Sequence, residues 1–253
     1  MRSFDELVGE ADRVPVDGWD FSWLEGRATE ERPPWGYAHG LARRLERARA
    51  AVDLQTGGGE VLAEAGQYPP IAVATEGWLP NLMVAAARLR PLGVVVIGHD
   101  ATAALPFADG SLDLVTSRHP VSTDWAEITR VLAPGGTFYS QQVGPASMVE
   151  LSEAFLGPLP DADRWRRPDD ARTEAEQAGL EIVDLQMVRL RAEFYDIGSI
   201  VYILRKCIWW VPNFSVDRYR DTLRQLHQRI TDEGPFVAHS TRFVIEARQP
   251  MGG

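Results

Sequence analysis

This chain of 253 residues contains one cysteine and one lysine, and its net charge is negative. Its single cysteine, Cys207, excludes an intramolecular disulfide framework and a cysteine-rich zinc site, and it fits a reducing compartment. Lys206 is the one lysine among 26 basic residues, and the formal net charge is −10. A large electropositive surface is therefore not expected, which disfavours nucleic acid as a partner.

Long hydrophobic runs and clusters of metal ligands are also missing from the sequence. The N-terminal residues show no apolar core of a secretory signal, and Arg205 and Lys206 interrupt the apolar run at 197–211. We therefore predict a cytoplasmic protein without a membrane partner. No persuasive group of metal-ligating side chains stands out, so no metal is predicted. The length and the 45% apolar content favour one elaborated globular domain, as a monomer or homodimer.

What the sequence does contain is an alternation of strand and helix patterns. Strands are predicted at 50–54, 71–75, 93–97, 112–117, 137–143, 180–190 and 236–248. Helices are predicted around Leu41 and Leu45 and at 60–66, 80–89, 124–132 and 169–178. Strands that alternate with helices predict an α/β fold with a parallel sheet.

Two segments depart from this alternation. Residues 1–36, which are rich in charged residues and tryptophan, are predicted to form an N-terminal extension or lid on a main domain at 37–253. Between the last two predicted strands, residues 191–235 form an insert with helical character and many aromatic residues. Aromatic and apolar surface of this kind suits an organic ligand, although dimer contacts or core packing would also explain it.

The stretch AVDLQTGGGEVL, at 51–62, carries the strongest local signal. An apolar run, an acid, a turn and three glycines predict a strand, a tight turn and a helix, because glycine permits close backbone approach. Such a turn commonly holds either a dinucleotide or a nucleoside without phosphate. The dinucleotide pattern G-x-G-x-x-G that starts at Gly57 requires a sixth-position glycine where Leu62 stands, so a nicotinamide enzyme is disfavoured.

The glycine stretch is the first of four motifs in a fixed order. VDLQTGGG is followed by AVATEGW, by HDATAALPFADGSLDLVTSRH and by EITRVLAPGGTF. This set, at about 48–145, resembles class I S-adenosylmethionine-dependent methyltransferases of the small-molecule type related to quinone-biosynthesis enzymes. The resemblance implies a Rossmann-like sheet of seven mostly parallel strands with an antiparallel last strand, helices on both faces, and S-adenosylmethionine as cofactor. One position departs from the family pattern, because Gln55 stands where the family has a glycine.

The resemblance also implies which residues hold the cofactor. Asp53 would lie near the ammonium group, Glu76 would accept from the ribose hydroxyls, and Asp100 would accept from the adenine amino group. All three acids are predicted to lie at carboxyl ends of strands, where ligands bind in open α/β sheets. The predicted cofactor residues are Asp53, Thr56, Gly57, Gly59, Glu76, Trp78, Asp100, Ala101 and Ser117.

Residues for the methyl acceptor are predicted from the same topology. The insert at 191–235 should emerge at the carboxyl edge that carries the cofactor. The predicted acceptor pocket contains Tyr37, His119, Tyr195 and Trp209. His119, directly after a strand, is the candidate catalytic residue, as a general base or as a group that orients the acceptor. The alternative is a histidine that forms a hydrogen bond to the loop or helps to hold the cofactor.

These residues predict methyl transfer to an O, N or C nucleophile of a small organic molecule. An RNA or tRNA methyltransferase is the first alternative, and a cofactor-binding protein without methyl transfer is the second. Nucleic-acid amino methyltransferases of this fold usually carry Asn or Asp, two prolines and an aromatic residue after the fourth strand, whereas this chain has SRHP at 117–120. Pyrimidine C5 chemistry needs a cysteine nucleophile, and Cys207 lies in an apolar run that indicates a structural role.

Overall fold

The computed structural model describes residues 2–16 and 18–252. The helices, in chain order, are α1 (Phe4–Arg13), α2 (Tyr37–Leu45), α3 (Glu60–Glu64), α4 (Leu79–Leu89), α5 (Trp125–Val131), α6 (Val149–Leu156), α7 (Pro168–Gln177), α8 (Ile197–Lys206) and α9 (Arg220–Glu233). The strands are β1 (Ala28–Glu30), β2 (Ala50–Leu54), β3 (Ile71–Glu76), β4 (Val95–Gly98), β5 (Leu112–Arg118), β6 (Leu132–Val143), β7 (Glu181–Phe194) and β8 (Phe236–Arg248).

The chain divides into two compact units. The first, which we call the core unit, comprises residues 33–144, 166–188 and 242–253. The second, which we call the appended unit, comprises residues 1–32, 145–165 and 189–241. The motifs of the glycine stretch and of the three segments after it all fall in the core unit.

The core unit is built on a sheet whose strands run mostly parallel. β3 pairs in parallel with β4 and with β2, β2 with β5, and β5 with β6, whereas β8 runs antiparallel to β6. The complete strand order is β1-β7-β8-β6-β5-β2-β3-β4. The predicted α/β fold with a parallel sheet and an antiparallel last strand is therefore confirmed.

Helices cover both faces of this sheet because neighbouring residues of each buried strand point to opposite sides. Val52 and Val115 pack with α5 and α7, in a cluster that includes Ile128. Ala51 and Leu114 pack on the other face with α2, α3 and α4. Because the strands run parallel, their carboxyl ends lie at one edge of the sheet, between the two helical layers.

The strand count differs from the predicted seven, since the described residues form eight strands. The additional strand, β1, has only three residues and pairs antiparallel with Ala192–Phe194 of β7. β7 itself continues to Phe194, four residues beyond its predicted end. Three residues are too few to show a hydrophobic period, so β1 could only be recognised from its long-range pairing partner.

The appended unit has its own hydrophobic cluster. α8 lies at its centre, where Ile197, Ile200 and Leu204 are fully buried. Cys207 follows α8 directly and is buried in the same cluster, in agreement with a structural role. The lid role of residues 1–36, the main domain at 37–253 and the placement of the 191–235 insert stay predictions. Met1, Asp17 and Gly253 lie outside the described residues.

The glycine turn between β2 and α3 uses backbone conformations that residues other than glycine rarely adopt. Gly57 and Gly59 both adopt left-handed conformations, with φ of 64° and 76°. A Cβ atom added to Gly59 would lie 2.7 Å from Cδ1 of Leu89, which is fully buried in α4. The turn therefore needs glycine at this position for two separate reasons, the backbone angle and the space.

Substitution of Gly59 separates these two reasons when it is compared with Gly66. Gly66 has a φ of 73° and open space around its Cα. Both Gly59→Ala and Gly66→Ala should lower the free energy of unfolding by about 1 to 2 kcal/mol, because alanine disfavours the left-handed backbone. Gly59→Ala should lose a further 1 to 3 kcal/mol, roughly, from the clash with Leu89. Urea denaturation measures both losses, and equal losses would show that α4 can move away without cost.

Candidate active site

The predicted cofactor residues of the core unit lie along the carboxyl ends of four adjacent strands. Asp53 is the second-last residue of β2, Glu76 ends β3, and Ser117 is the second-last residue of β5. Asp100 follows β4 by two residues. Because these strands are parallel neighbours in the order β5-β2-β3-β4, the structure brings the four residues to one edge of the sheet.

Glu76 holds the glycine turn in place. Its buried carboxylate accepts the backbone N–H of Gly57 at Oε2 and that of Trp78 at Oε1, each at 2.8 Å. Trp78 is the residue that precedes α4, and its own side chain is exposed. A carboxylate has about four acceptor sites, so two remain for the ribose hydroxyls. That ribose contact stays a prediction.

Asp53 is a buried acid that burial keeps from ionising easily. Burial raises the pKa of its carboxyl to about 6, although the hydroxyl of Thr116, which donates to Oδ1 at 2.6 Å, opposes this shift. The hydroxyl of Thr56 lies beside the same carboxyl and also opposes the rise of its pKa. A buried acid of this kind suits a polar or cationic ligand group.

A cavity opens on the α5 side of the same edge and is lined by two of the predicted cofactor residues, Ala101 and Ser117. Asp100 lies beside this cavity, and its Oδ1 accepts hydrogen bonds from the backbone N–H and the hydroxyl of Thr102. These hydrogen bonds, mainly that of the N–H, lower the pKa of Asp100. Wall residues that the sequence did not single out include Leu54, Thr75, His99, Leu105, Ser122 and Ile128. The acidic, hydroxyl and cavity features together fit S-adenosylmethionine.

Gln55, the departure from the family pattern, joins two turns of the site. Its backbone keeps the left-handed conformation of a glycine, with a φ of 54°. Its Oε1 accepts the N–H of Val121 at 2.6 Å, and its Nε2 donates to the carbonyl oxygen of Ser122 at 2.8 Å. The side chain therefore ties the turn after β2 to the loop after β5, which also contains His119.

His119 is held by a short chain of hydrogen bonds. Trp35 donates its indole N–H to Oε1 of Gln141 at 2.7 Å, which identifies Nε2 of Gln141 as the donor to Nε2 of His119 at 3.0 Å. Burial lowers the pKa of His119 well below its usual value, and the charges of Arg118, Arg242 and Arg166 lower it further. The ring is therefore neutral, its Nε2 lone pair is engaged, and its proton lies on Nδ1.

The remaining predicted pocket residues fall in different units. Tyr37 lies in the core unit, where its hydroxyl donates to the carbonyl oxygen of Ser117 at 3.0 Å and its ring stacks on Tyr139. Tyr195 and Trp209 lie in the appended unit. Their predicted contact with the acceptor stays a prediction, as does the catalytic role of His119.

The described residues, 2–16 and 18–252, contain neither a candidate metal site nor a helix that could span a membrane. No three His, Cys, Asp or Glu side chains in this part of the chain lie together as a group that could hold a metal ion. None of its helices is long and apolar enough to cross a membrane.

Comparison with known proteins identifies the family of the core motifs. The family described as "Methyltransferase domain" matches residues 52–140, which run from β2 into β6. A malonyl-[acyl-carrier protein] O-methyltransferase of Marinomonas sp. (strain MWYL1) is 25% identical over 224 residues, which cover 81% of this chain and 82% of that protein. The chain is an S-adenosylmethionine-dependent methyltransferase whose match to this domain family spans residues 52–140. Its cofactor is S-adenosylmethionine, as predicted.

Solved structures show the fold of this methyltransferase in other proteins. Phosphoethanolamine N-methyltransferase 2 of Haemonchus contortus, solved with S-adenosyl-L-methionine, has a TM-score of 0.53 at 17% identity, and the match covers 99% of this chain and 61% of that chain. The [4+2]-cyclase SpnF has a TM-score of 0.55 at 17% identity and covers 98% of this chain and 94% of that chain.

We expect Glu76→Gln to weaken cofactor binding by the methyltransferase about 10-fold or more. An amide presents one acceptor oxygen instead of two, so one of the N–H groups of Gly57 and Trp78 would face another donor and lose its partner. Calorimetric titration with S-adenosylhomocysteine measures the affinity. Glu64→Gln, at an exposed position of α3, is the matched control. Unchanged affinity in Glu76→Gln would remove Glu76 from the cofactor site.

Asp53 should also make the stability of the methyltransferase depend on pH. Its pKa rises from 3.8 in the unfolded chain to about 6 in the folded protein, so the stabilisation it gives when protonated is lost as the pH rises through about 6. The free energy of unfolding of Asp53→Asn, relative to that of wild type, should therefore rise by on the order of 3 kcal/mol between low and neutral pH. Urea denaturation of both proteins across this range measures the difference. A constant difference would mean that Asp53 titrates normally.

Proposed function

We propose that this methyltransferase transfers the methyl group of S-adenosylmethionine to an O, N or C nucleophile of a small organic molecule. The observation that carries the proposal is the polar carboxyl edge of the core unit, where Asp53, Glu76 and the cavity beside Ser117 meet the loop of His119. S-adenosylmethionine supplies the methyl group on a positively charged sulfur. The protein then has to hold the acceptor in line with that group and exclude water.

The charge of the chain supports a small acceptor over RNA. A protein that binds RNA gains much of its affinity from cationic contacts with phosphates, and this chain carries a net charge of −10. The loop SRHP at 117–120 also lacks the two prolines and the aromatic residue with which nucleic-acid amino methyltransferases of this fold hold a base. We therefore place an organic acceptor, and not a nucleobase, beside this loop.

We assign His119 to orientation of the acceptor rather than to removal of a proton. The Nε2 lone pair of a general base must be free, whereas Nε2 of His119 accepts from Gln141 at 3.0 Å. The neutral ring keeps one donor, Nδ1–H. A donor of this kind can fix an acceptor oxygen without changing its own protonation state. Gln141 would thus set the tautomer of His119, as an outer partner sets the tautomer of a metal-bound histidine.

The relatives add information about the acceptor atom. The Marinomonas protein is called a malonyl-[acyl-carrier protein] O-methyltransferase, and its match covers most of both chains. By similarity, an oxygen of an acyl group, free or attached to a carrier, is the acceptor that we favour among O, N and C nucleophiles.

Incubation of the protein with cell extract and S-adenosylmethionine labelled on the methyl group tests this function. Mass spectrometry should find a labelled product in the small-molecule or carrier fraction, and its yield should fall strongly in Glu76→Gln but not in Glu64→Gln. His119→Asn should lower the yield while the affinity for S-adenosylhomocysteine stays within about 2-fold of wild type, because the histidine faces the acceptor.

Parallel reactions distinguish the alternatives. Extract treated with ribonuclease should give the same yield, and purified total RNA should remain unlabelled. Label that enters RNA, with a yield that falls steeply as salt is added, would establish the RNA methyltransferase instead. Cofactor binding without any labelled product in extract would contradict methyl transfer to a common cellular metabolite.

A further inference from the structure

Three arginines act on His119 at the carboxyl edge of the core unit. Arg118 ends β5 directly before His119, Arg166 precedes α7, and Arg242, in the middle of β8, is the first residue of that strand in the core unit. All three charges disfavour protonation of the His119 ring. This is a local concentration of positive charge in a chain whose net charge is −10.

The register of the strands places two of these arginines on one face of the sheet. Arg118 is paired with Gln141, and Arg242 is paired with Val143. Gln141 and Val143 are two residues apart on β6 and therefore point to the same side. Arg118, Gln141 and Arg242 thus share the face on which Gln141 holds His119.

Acidic partners do not account for the two outer arginines. Arg118 is exposed, and its charge favours ionisation of the buried Asp53, but among the described residues Arg118 forms no ion pair. Arg166 is exposed as well and forms none in that part of the chain. Two unpaired guanidinium groups beside a neutral histidine donor would attract an anion.

We infer that the acceptor presents a carboxylate to Arg118 and His119, and that this carboxylate is the methylated group. The inference rests on the proposed function and names its substrate class. A carboxylate is ionised at neutral pH without help, so it needs no general base. That requirement matches a histidine whose Nε2 already accepts from Gln141. A hydroxyl or ammonium acceptor would instead need a base to remove its proton.

The proposed step balances without a co-reactant. One oxygen of the carboxylate forms a bond to the methyl carbon, and the bond between that carbon and sulfur breaks with its electron pair remaining on sulfur. The anionic acceptor and the cationic donor become a neutral methyl ester and S-adenosylhomocysteine. No proton is released. Arg118 therefore has to position the carboxylate without binding it so tightly that its nucleophilicity is lost.

Alkaline hydrolysis of the labelled product tests the substrate class. After incubation with cell extract and S-adenosylmethionine labelled on the methyl group, a methyl ester releases labelled methanol in mild alkali, whereas methyl ethers, methylamines and C-methyl products keep the label. We expect release of the label. In Arg118→Gln its yield should fall roughly 10- to 100-fold with unchanged affinity for S-adenosylhomocysteine, because a charge-assisted pair is lost. Arg118→Lys should retain part of the yield.

Arg49→Gln provides the matched control, since Arg49 is exposed and precedes β2 at the opposite end of the strands. Its yield of alkali-labile label should equal that of wild type. Label that resists alkali would overturn the carboxylate while leaving methyl transfer intact, and so would a full yield in Arg118→Gln. Absence of any labelled product would overturn the proposed function itself, and the inference with it.

Discussion

The site depends on one carboxylate, that of Glu76, which connects two turns through their backbone. It accepts the N–H of Gly57, in the turn after β2, and the N–H of Trp78, at the start of α4. These N–H groups come from different strand–helix connections, and neither belongs to a helix that could satisfy it. The end of β3 is thereby fixed to the glycine turn, and everything placed on that turn keeps its position relative to β3.

The local part of this arrangement could be predicted from the sequence. β2 is predicted at its observed bounds because the strand-like run AAVDL is followed directly by a turn and glycines. The predicted α/β fold follows from the same local contrast between apolar strands and amphipathic helices. β1 and the C-terminal extension of β7 could not be predicted, because their pairing joins residues that are distant in the sequence and have no pattern of their own.

The candidate site was predictable only where a residue stands at the end of a strand. Asp53, Glu76 and Ser117 could be placed at one edge because parallel strands share their carboxyl ends. The connection from Gln55 to Val121 and Ser122 could not be predicted, since it joins residues more than sixty positions apart through a side chain. The left-handed backbone of His119 has no signal either, because the residue is not a glycine.

Burial acts on the two titratable groups of the site in opposite directions and with one result. It raises the pKa of Asp53 and lowers that of His119, so each group is moved towards its neutral form. A bound cation, such as the ammonium group of the cofactor, would restore the charge of Asp53. A bound anion would favour protonation of His119, but the hydrogen bond from Gln141 to Nε2 opposes it. Without ligands, the two groups are thus held near their neutral forms. The charges within the site would then come from the ligands, which suits a positively charged sulfonium donor that reacts with an anionic acceptor.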